Sequence, residues 1–171
     1  MKYLIASDIH GSAYWAERLC TAIESEQPDR IVLLGDLLYH GPRNDLPDEY
    51  APKQVLAMLN ERRDRLFCVR GNCDIGGRAP DTDIVPLGPV KAFITHGHLF
   101  NVKYGRLDSL VYAAMEHGAR IAMFGHTHEV LETYDDGLYI LTPGSCSGFR
   151  ATCGLVDISP AGILTNILHI N

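Results

Sequence analysis

The chain has 171 residues, 46% of them apolar and 21% charged, the ordinary balance of a soluble globular protein long enough to bury a core without staples. A net charge of −6 argues against a general nucleic-acid or membrane-surface binder, because both partners are anionic, while leaving room for a local positive site that takes an anion. Five cysteines (Cys20, Cys68, Cys73, Cys146, Cys153) form no C-x-x-C pair, and with their odd count they read as small buried hydrophobes of a reducing compartment. No stretch approaches the roughly 20 apolar residues of a membrane span, and the apolar run at the N-terminus is too short for a signal peptide, so a cytoplasmic location is expected.

Lys2 to Ser7 is a short apolar run that stops at Asp8-Ile9-His10-Gly11, a buried strand followed by a loop. Ser12 is placed to cap a helix over 13–26, with Trp15, Leu19, Ala22 and Ile23 on one face. Arg30 to Leu34 is a second strand, broken by Gly35-Asp36. The loop His40-Gly41-Pro42-Arg43-Asn44 follows, then a helix from about Tyr50 with Val55, Leu56 and Leu59 inward. Leu66 to Val69 is a third strand ending at Arg70-Gly71-Asn72. This β-α-β-α-β order is that of a parallel sheet whose loops gather at the C-terminal strand ends.

The second half is richer in strand. Val90 to Thr95 ends at His96-Gly97-His98, and Arg106 to His117 is an amphipathic helix with Leu107, Leu110, Val111 and Ala114 inward and Gly118 as C-cap. Ile121 to Phe124 leads into Gly125-His126-Thr127-His128. Val130–Tyr134 and Leu138–Leu141 flank Asp135-Asp136-Gly137, a hairpin signal. Strands near Thr152–Ile158 and Ile163–Ile170 finish the chain. Without repeats or linkers, residues 1–171 are expected to form a single α/β domain of two sheets packed face to face, with helices outside.

Five of these apolar runs end in residues that can ligate a metal: Asp8 and His10, Asp36, Asn72, His96, and His126 with His128. If strand geometry continues past the run, Asp8 and His10 point the same way, and so do His126 and His128. Imidazoles and carboxylates without thiolate suit manganese, iron, zinc or nickel better than a cysteine-rich zinc site does. Seven donors are too many for one tetrahedral ion and suit two. Two divalent ions against two aspartates leave about two positive charges for a hydroxide and a phosphate.

The motifs Asp8-x-His10, Gly35-Asp36, Gly71-Asn72, His96-Gly97-His98 and Gly125-His126-Thr127-His128 resemble those of the calcineurin-like metallophosphoesterase superfamily. Asn72-Cys73-Asp74 and Thr95-His96-Gly97-His98 look most like its small single-domain bacterial phosphodiesterase branch, which also resembles the retromer subunit of vacuolar sorting. The resemblance runs from Lys2 to about Ser145. It implies a four-layer αββα sandwich of two mixed sheets with flanking helices. It assigns Asp8, His10 and His128 to one metal and Asn72, His96 and His126 to the other, with Asp36 bridging both. It implies manganese as the first choice of metal, and a metal-bridging hydroxide that attacks the phosphorus of a small phosphodiester. Where larger members carry the leaving group's histidine proton donor, this chain has Cys73, a poorer donor whose pKa would fall beside cations.

Around this core, the resemblance gives His98 a contact to the phosphate, so Asp36, Asn72 and His98 are the expected catalytic residues. Asp74 reads either as the partner of a ligand imidazole or as a turn residue. Arg43 and Asn44 read as solvated loop residues before substrate contacts, and His40, His117 and His169 as structural or exposed. Pro143-Gly144-Ser145 reads as a loop closing the far side of the cleft, without a catalytic part. A diester is expected over a monoester because no further cation stands ready for a second phosphate charge. The alternatives are a phosphomonoesterase or nucleotidase, and a non-catalytic protein-binding scaffold. A homo-oligomer is compatible with the sequence.

Overall fold

The structure is a computed structural model that describes residues 1–170, and of Tyr104 only the backbone. Its elements run β1 (Lys2–Ala6), α1 (Ala13–Glu26), β2 (Arg30–Leu33), α2 (Pro52–Asn60), β3 (Leu66–Cys68), β4 (Thr82–Leu87) and β5 (Val90–Thr95). There follow α3 (Asp108–Glu116), β6 (Ile121–Met123), β7 (Val130–Asp135), β8 (Leu138–Pro143), β9 (Thr152–Ser159) and β10 (Gly162–His169). One mixed sheet has the order β10-β9-β1-β2-β3 and the other β4-β5-β6-β8-β7. In the first, β1, β2 and β3 are parallel while β9 and β10 return antiparallel. In the second, β5, β6 and β8 are parallel with antiparallel β4 and β7 at the edges.

Alternation along the strands divides the apolar side chains among three cores. Leu4 and Ala6 face Trp15, Ala16, Leu19 and Val55 of α1 and α2. Tyr3 and Ile5, pointing the other way, meet Val85, Ile94, Met123 and Leu141 of the second sheet. That sheet's outer face, with Phe93, Ala122 and Ile140, packs on Leu110 and Ala114 of α3. The result is the helix–sheet–sheet–helix order of an αββα sandwich. No helix among the described residues is long and apolar enough to cross a membrane.

Local chemistry accounts for the element ends. Ser12 Oγ accepts from the Trp15 amide at 3.2 Å, so α1 starts where its cap was expected. The second helix begins at Pro52 rather than Tyr50, with proline in the first turn where an amide hydrogen would have no partner. Its Val55 and Leu59 are buried, but Leu56 is 45% exposed, because the adjacent position turns about 100° off the inner face. The first residue of α3 is Asp108 rather than Arg106, and Gly118 follows the helix with φ 66°. Strand β4 was not anticipated: Asp83 and Pro86 interrupt its apolar pattern, and an edge strand tolerates both.

Candidate metal centre

The loops after β1, β2, β3, β5 and β6 bring the expected donors together at one end of the sandwich. The first two loops are laced by backbone bonds: Asp8 N donates to Gly35 O at 3.0 Å, and His10 N to Asp36 O at 2.9 Å. Strand geometry does not continue into them, contrary to the expectation for the paired residues. Asp8, His10, Asp36, His126 and His128 all adopt left-handed backbone, with φ between 52° and 71°. Five non-glycine residues in that sparsely populated region mark a site whose surroundings over-determine its shape.

Two glycines are required by close approach. A Cβ on Gly71 would strike the Asp36 carboxylate, and one on Gly125 would strike Ser7 Oγ and come within 3.0 Å of Asp8 Oδ2. The loop after β3 is therefore packed directly on Asp36, and the loop after β6 on the side chains of Ser7 and Asp8.

The donor atoms form two adjoining groups. Asp8 Oδ1 lies 3.6 Å from His10 Nε2 and 3.2 Å from His128 Nε2, and these two nitrogens are 3.3 Å apart. His96 Nε2 lies 3.4 Å from Asp36 Oδ2 and 3.2 Å from Asn72 Oδ1. Ligand atoms of Asp8, Asp36 and His96 fall within 4.8 Å of one another, as do those of His10, Asp36 and Cys73. Asp36 thus adjoins both groups. His126 joins the second, its ring 5.1 Å from that of His96, and its amide donates to Asp8 Oδ2 at 3.2 Å.

The donor set fits divalent cations. His10 Nδ1 and His96 Nδ1 face the carbonyls of Tyr39 at 3.0 Å and Leu34 at 2.7 Å, so in each ring Nδ1 carries the hydrogen and Nε2 turns a lone pair into the centre. Asp8 Oδ1 is buried with no hydrogen aligned on it, although His128 Nε2 is within ion-pairing distance. A buried carboxylate oxygen left open among imidazole nitrogens is what a cation would satisfy.

The electrostatics agree. Burial would raise the Asp8 pKa, but the His128 and His96 imidazoles outweigh it and hold it low. Burial opposes ionisation of Asp36 too, yet the His96 contact and the Cys73 amide at 2.7 Å bring it down to about 2. His126 is lowered to about 4 by burial and by neighbouring His96, so it stays neutral. Burial would lower His96, but Asp36 and Asp8 raise it; His128 is raised chiefly by Asp8. A cation entering the centre therefore competes with protons at these two rings. In the metal-free chain the Cys73 thiol is pushed up to about 12 by burial and by Asp36, opposite to the direction expected beside bound cations.

Several supporting residues were not legible as such. Asp74 meets no imidazole: its carboxylate accepts the amides of Asp36 at 2.7 Å, Gly71 at 2.9 Å, Leu37 at 3.0 Å and Leu38 at 3.4 Å, tying the Asp36 loop to the Asn72 loop. Ser145 and Ser147 hydroxyls donate to the Asp8 carbonyl at 3.1 and 2.9 Å, so the loop after β8 clamps Asp8 rather than only closing a side. The cleft over the centre holds about 320 Å³ and is lined by Arg43, Asn44 and Lys103 as well as by ligands. Arg43 and Asn44 are thus cleft residues, and Lys103 sits in a stretch with no periodicity to flag it. Two cations at the cleft remove the argument that no further positive charge awaits a phosphate. His98 stands 5.4 Å from His96 and 6.3 Å from His126, ring to ring, and does not line the cleft. His117 is exposed, and His40 is wedged between the rings of Tyr39 and Tyr50.

Residues 1–159 match the model of the calcineurin-like phosphoesterase superfamily domain. The Escherichia coli phosphodiesterase YfcE is 36% identical over 174 residues, spanning 92% of this chain and 88% of the relative. Its solved structure, described as that of a phosphoesterase, superposes with a TM-score of 0.76 at 31% identity over 100% of both chains. A probable metallophosphoesterase of Bacillus subtilis, YsnB, is 30% identical over 85% of this chain and 75% of its own. Zinc-bound Vps29 of Entamoeba histolytica shares the fold, with a TM-score of 0.73 at 18% identity over 100% of both chains.

Proposed function

The chain belongs to the calcineurin-like phosphoesterase superfamily, and we propose that it is a phosphodiesterase that works with two divalent metal ions, manganese before iron, zinc or nickel. The observation that carries this reading is Asp36, whose carboxylate lies within 4.8 Å of donors from both groups, Asp8 and His10 of the first and His96 of the second. Asp8, His10 and His128 would hold one ion, Asn72, His96 and His126 the second, and Asp36 both. When bound, two such ions acidify a water to supply the nucleophile and offset charge on the phosphate.

The chain's own residues prepare that chemistry. Tyr39 and Leu34 carbonyls fix the rings of His10 and His96 with Nε2 inward. Asn72 adds a neutral oxygen donor, so that only Asp8 and Asp36 subtract from the metals' charge and the centre stays positive toward an anion. Its Nδ2 donates to Cys73 Sγ at 3.2 Å, orienting the amide. The third proposed catalytic residue, His98, has its pKa lowered by burial and by His96, and because it does not line the cleft its side chain would have to turn toward the centre to meet a phosphate. Cys73 is a weak proton donor, which favours substrates with good leaving groups. The choice of a diester rests on the likeness to a phosphodiesterase. A monoester is the second reading, favoured by Arg43 and Lys103 at the cleft, which could meet the extra charge.

The test is hydrolysis of bis(4-nitrophenyl) phosphate and of 4-nitrophenyl phosphate by metal-stripped protein, with and without manganese, beside Asp36→Ala. Manganese should restore diester cleavage in the wild type and not in the variant. Cleavage of the monoester alone would favour the second reading. Failure on both esters with every divalent metal would remove the hydrolase reading and leave the scaffold to pursue.

A further inference from the structure

A second recess of about 480 Å³ lies beside the metal cleft. Val102 and Phe124, both buried, belong to its lining, with Leu107, Leu131 and Val130; the last is 47% exposed. Two residues, Lys103 and Thr127, line both the recess and the cleft. Thr127 stands between His126 and His128, and Phe124 ends the run that leads into that loop. The ligand loop thus forms part of the boundary between the proposed metal centre and an apolar recess, with Lys103 beside it.

We propose that this recess receives the ester group retained on phosphorus, and that the substrates are phosphodiesters in which that group is uncharged, apolar and of ring size. The proposal rests on the phosphodiesterase reading. Continuity supplies the first argument: among the described residues Lys103 and Thr127 line both the cleft and the recess, so the second ester bond of a phosphate in the cleft has a short way in. Size supplies the second. An enclosed apolar cavity of about 150 Å³ accepts benzene, and small-molecule sites run from about 300 to 1,000 Å³, so this recess has room for a bicyclic ring. Chemistry supplies the third. The lining is mostly apolar, and its acidic member, Glu129, disfavours a carboxylate or second phosphate there. Lys103, at the junction, would face the phosphate's own negative charge.

The assay compares two diesters with the same 4-nitrophenolate leaving group, one retaining a methyl ester and the other a naphthylmethyl ester. Both retained groups are alkoxides, so intrinsic reactivity is nearly matched. The ring should raise kcat/KM on the order of thirtyfold, and Val130→Glu, a charge placed at the exposed rim, should reduce that preference to about threefold or less. In parallel, naphthylmethyl methylphosphonate, which lacks the leaving group, is titrated into methyl-labelled protein; the Val102, Leu107 and Leu131 methyl resonances should shift. Equal rates on the two diesters, or a preference untouched by Val130→Glu, overturn the proposal while the phosphodiesterase reading stands. Shifted methyls with no hydrolysis of either diester keep the ring site and remove the phosphodiesterase reading. Neither hydrolysis nor shifts removes both.

Discussion

Replacing Asp74 by alanine isolates the scaffold from the ligands, because Asp74 offers no atom to the proposed metals and yet sets where Asp36 stands. Its carboxylate accepts amides of Asp36, Gly71 and Leu37 at 2.7, 2.9 and 3.0 Å, with a weaker fourth from Leu38 at 3.4 Å. Hydrogen bonds to a charged group contribute about 1.5–3 kcal/mol each. Three at the lower end give about 4.5 kcal/mol, and because Asp74 is only half-buried, water recovers part of this, leaving a loss of about 3 kcal/mol. For a chain of this length that is a fall in Tm of about 6–12 °C. Freed from its anchor, the Asp36 loop would move on the scale of an ångström, which costs on the order of a hundredfold in rate. The assay pairs thermal melts of metal-free protein with kcat on bis(4-nitrophenyl) phosphate at saturating manganese. Asp74→Asn, which keeps one carboxamide oxygen as acceptor, should fall between. A variant Asp74→Ala that melts within about 2 °C of wild type and keeps full activity would refute the reasoning.

The pH dependence of metal-free stability should carry a signature of His126. Its pKa is about 4 in the folded chain against an ordinary 6.5, so between those values the unfolded state binds a proton that the folded state refuses. Stability from this group is complete above pH 6.5 and is lost as pH falls toward 4; urea melts of His126→Gln should lack that acid limb, whereas His96 and His128, shifted upward, act in the opposite sense in both proteins. Cys73→His, scored on diesters with poor leaving groups, should raise the rate about tenfold or more by supplying a proton donor, with little change on 4-nitrophenyl esters. Arg43→Ala and Lys103→Ala should raise KM for 4-nitrophenyl phosphate by about tenfold, and less for the diester; equal effects on both would separate these cations from the second phosphate charge.

Much of the centre was legible because the apolar runs stop abruptly at Asp8, Asp36, Asn72, His96 and His126, and a parallel sheet gathers such stops at one end. The layered fold followed from the same alternation. Strand β4 was hidden because an edge needs no continuous apolar pattern and accepts Pro86. The left-handed backbone of Asp8 and His10 is not implied by their spacing; it comes from the bonds between the loops after β1 and β2. The supports were out of reach for a related reason. Asp74 acts on amides up to 38 positions away, and Ser145 on a carbonyl 137 positions away, through backbone groups that every sequence contains. Arg43 and Lys103 carry no motif, and only the closing of separate loops over one cleft brings them to its lining.

Manganese titration of the metal-stripped chain, followed by electron paramagnetic resonance, tests the paired centre most directly. The account predicts two ions per chain with an exchange-coupled spectrum in the wild type, and loss of that coupling in Asp36→Ala. One uncoupled ion per chain, or coupling that survives Asp36→Ala, would contradict it.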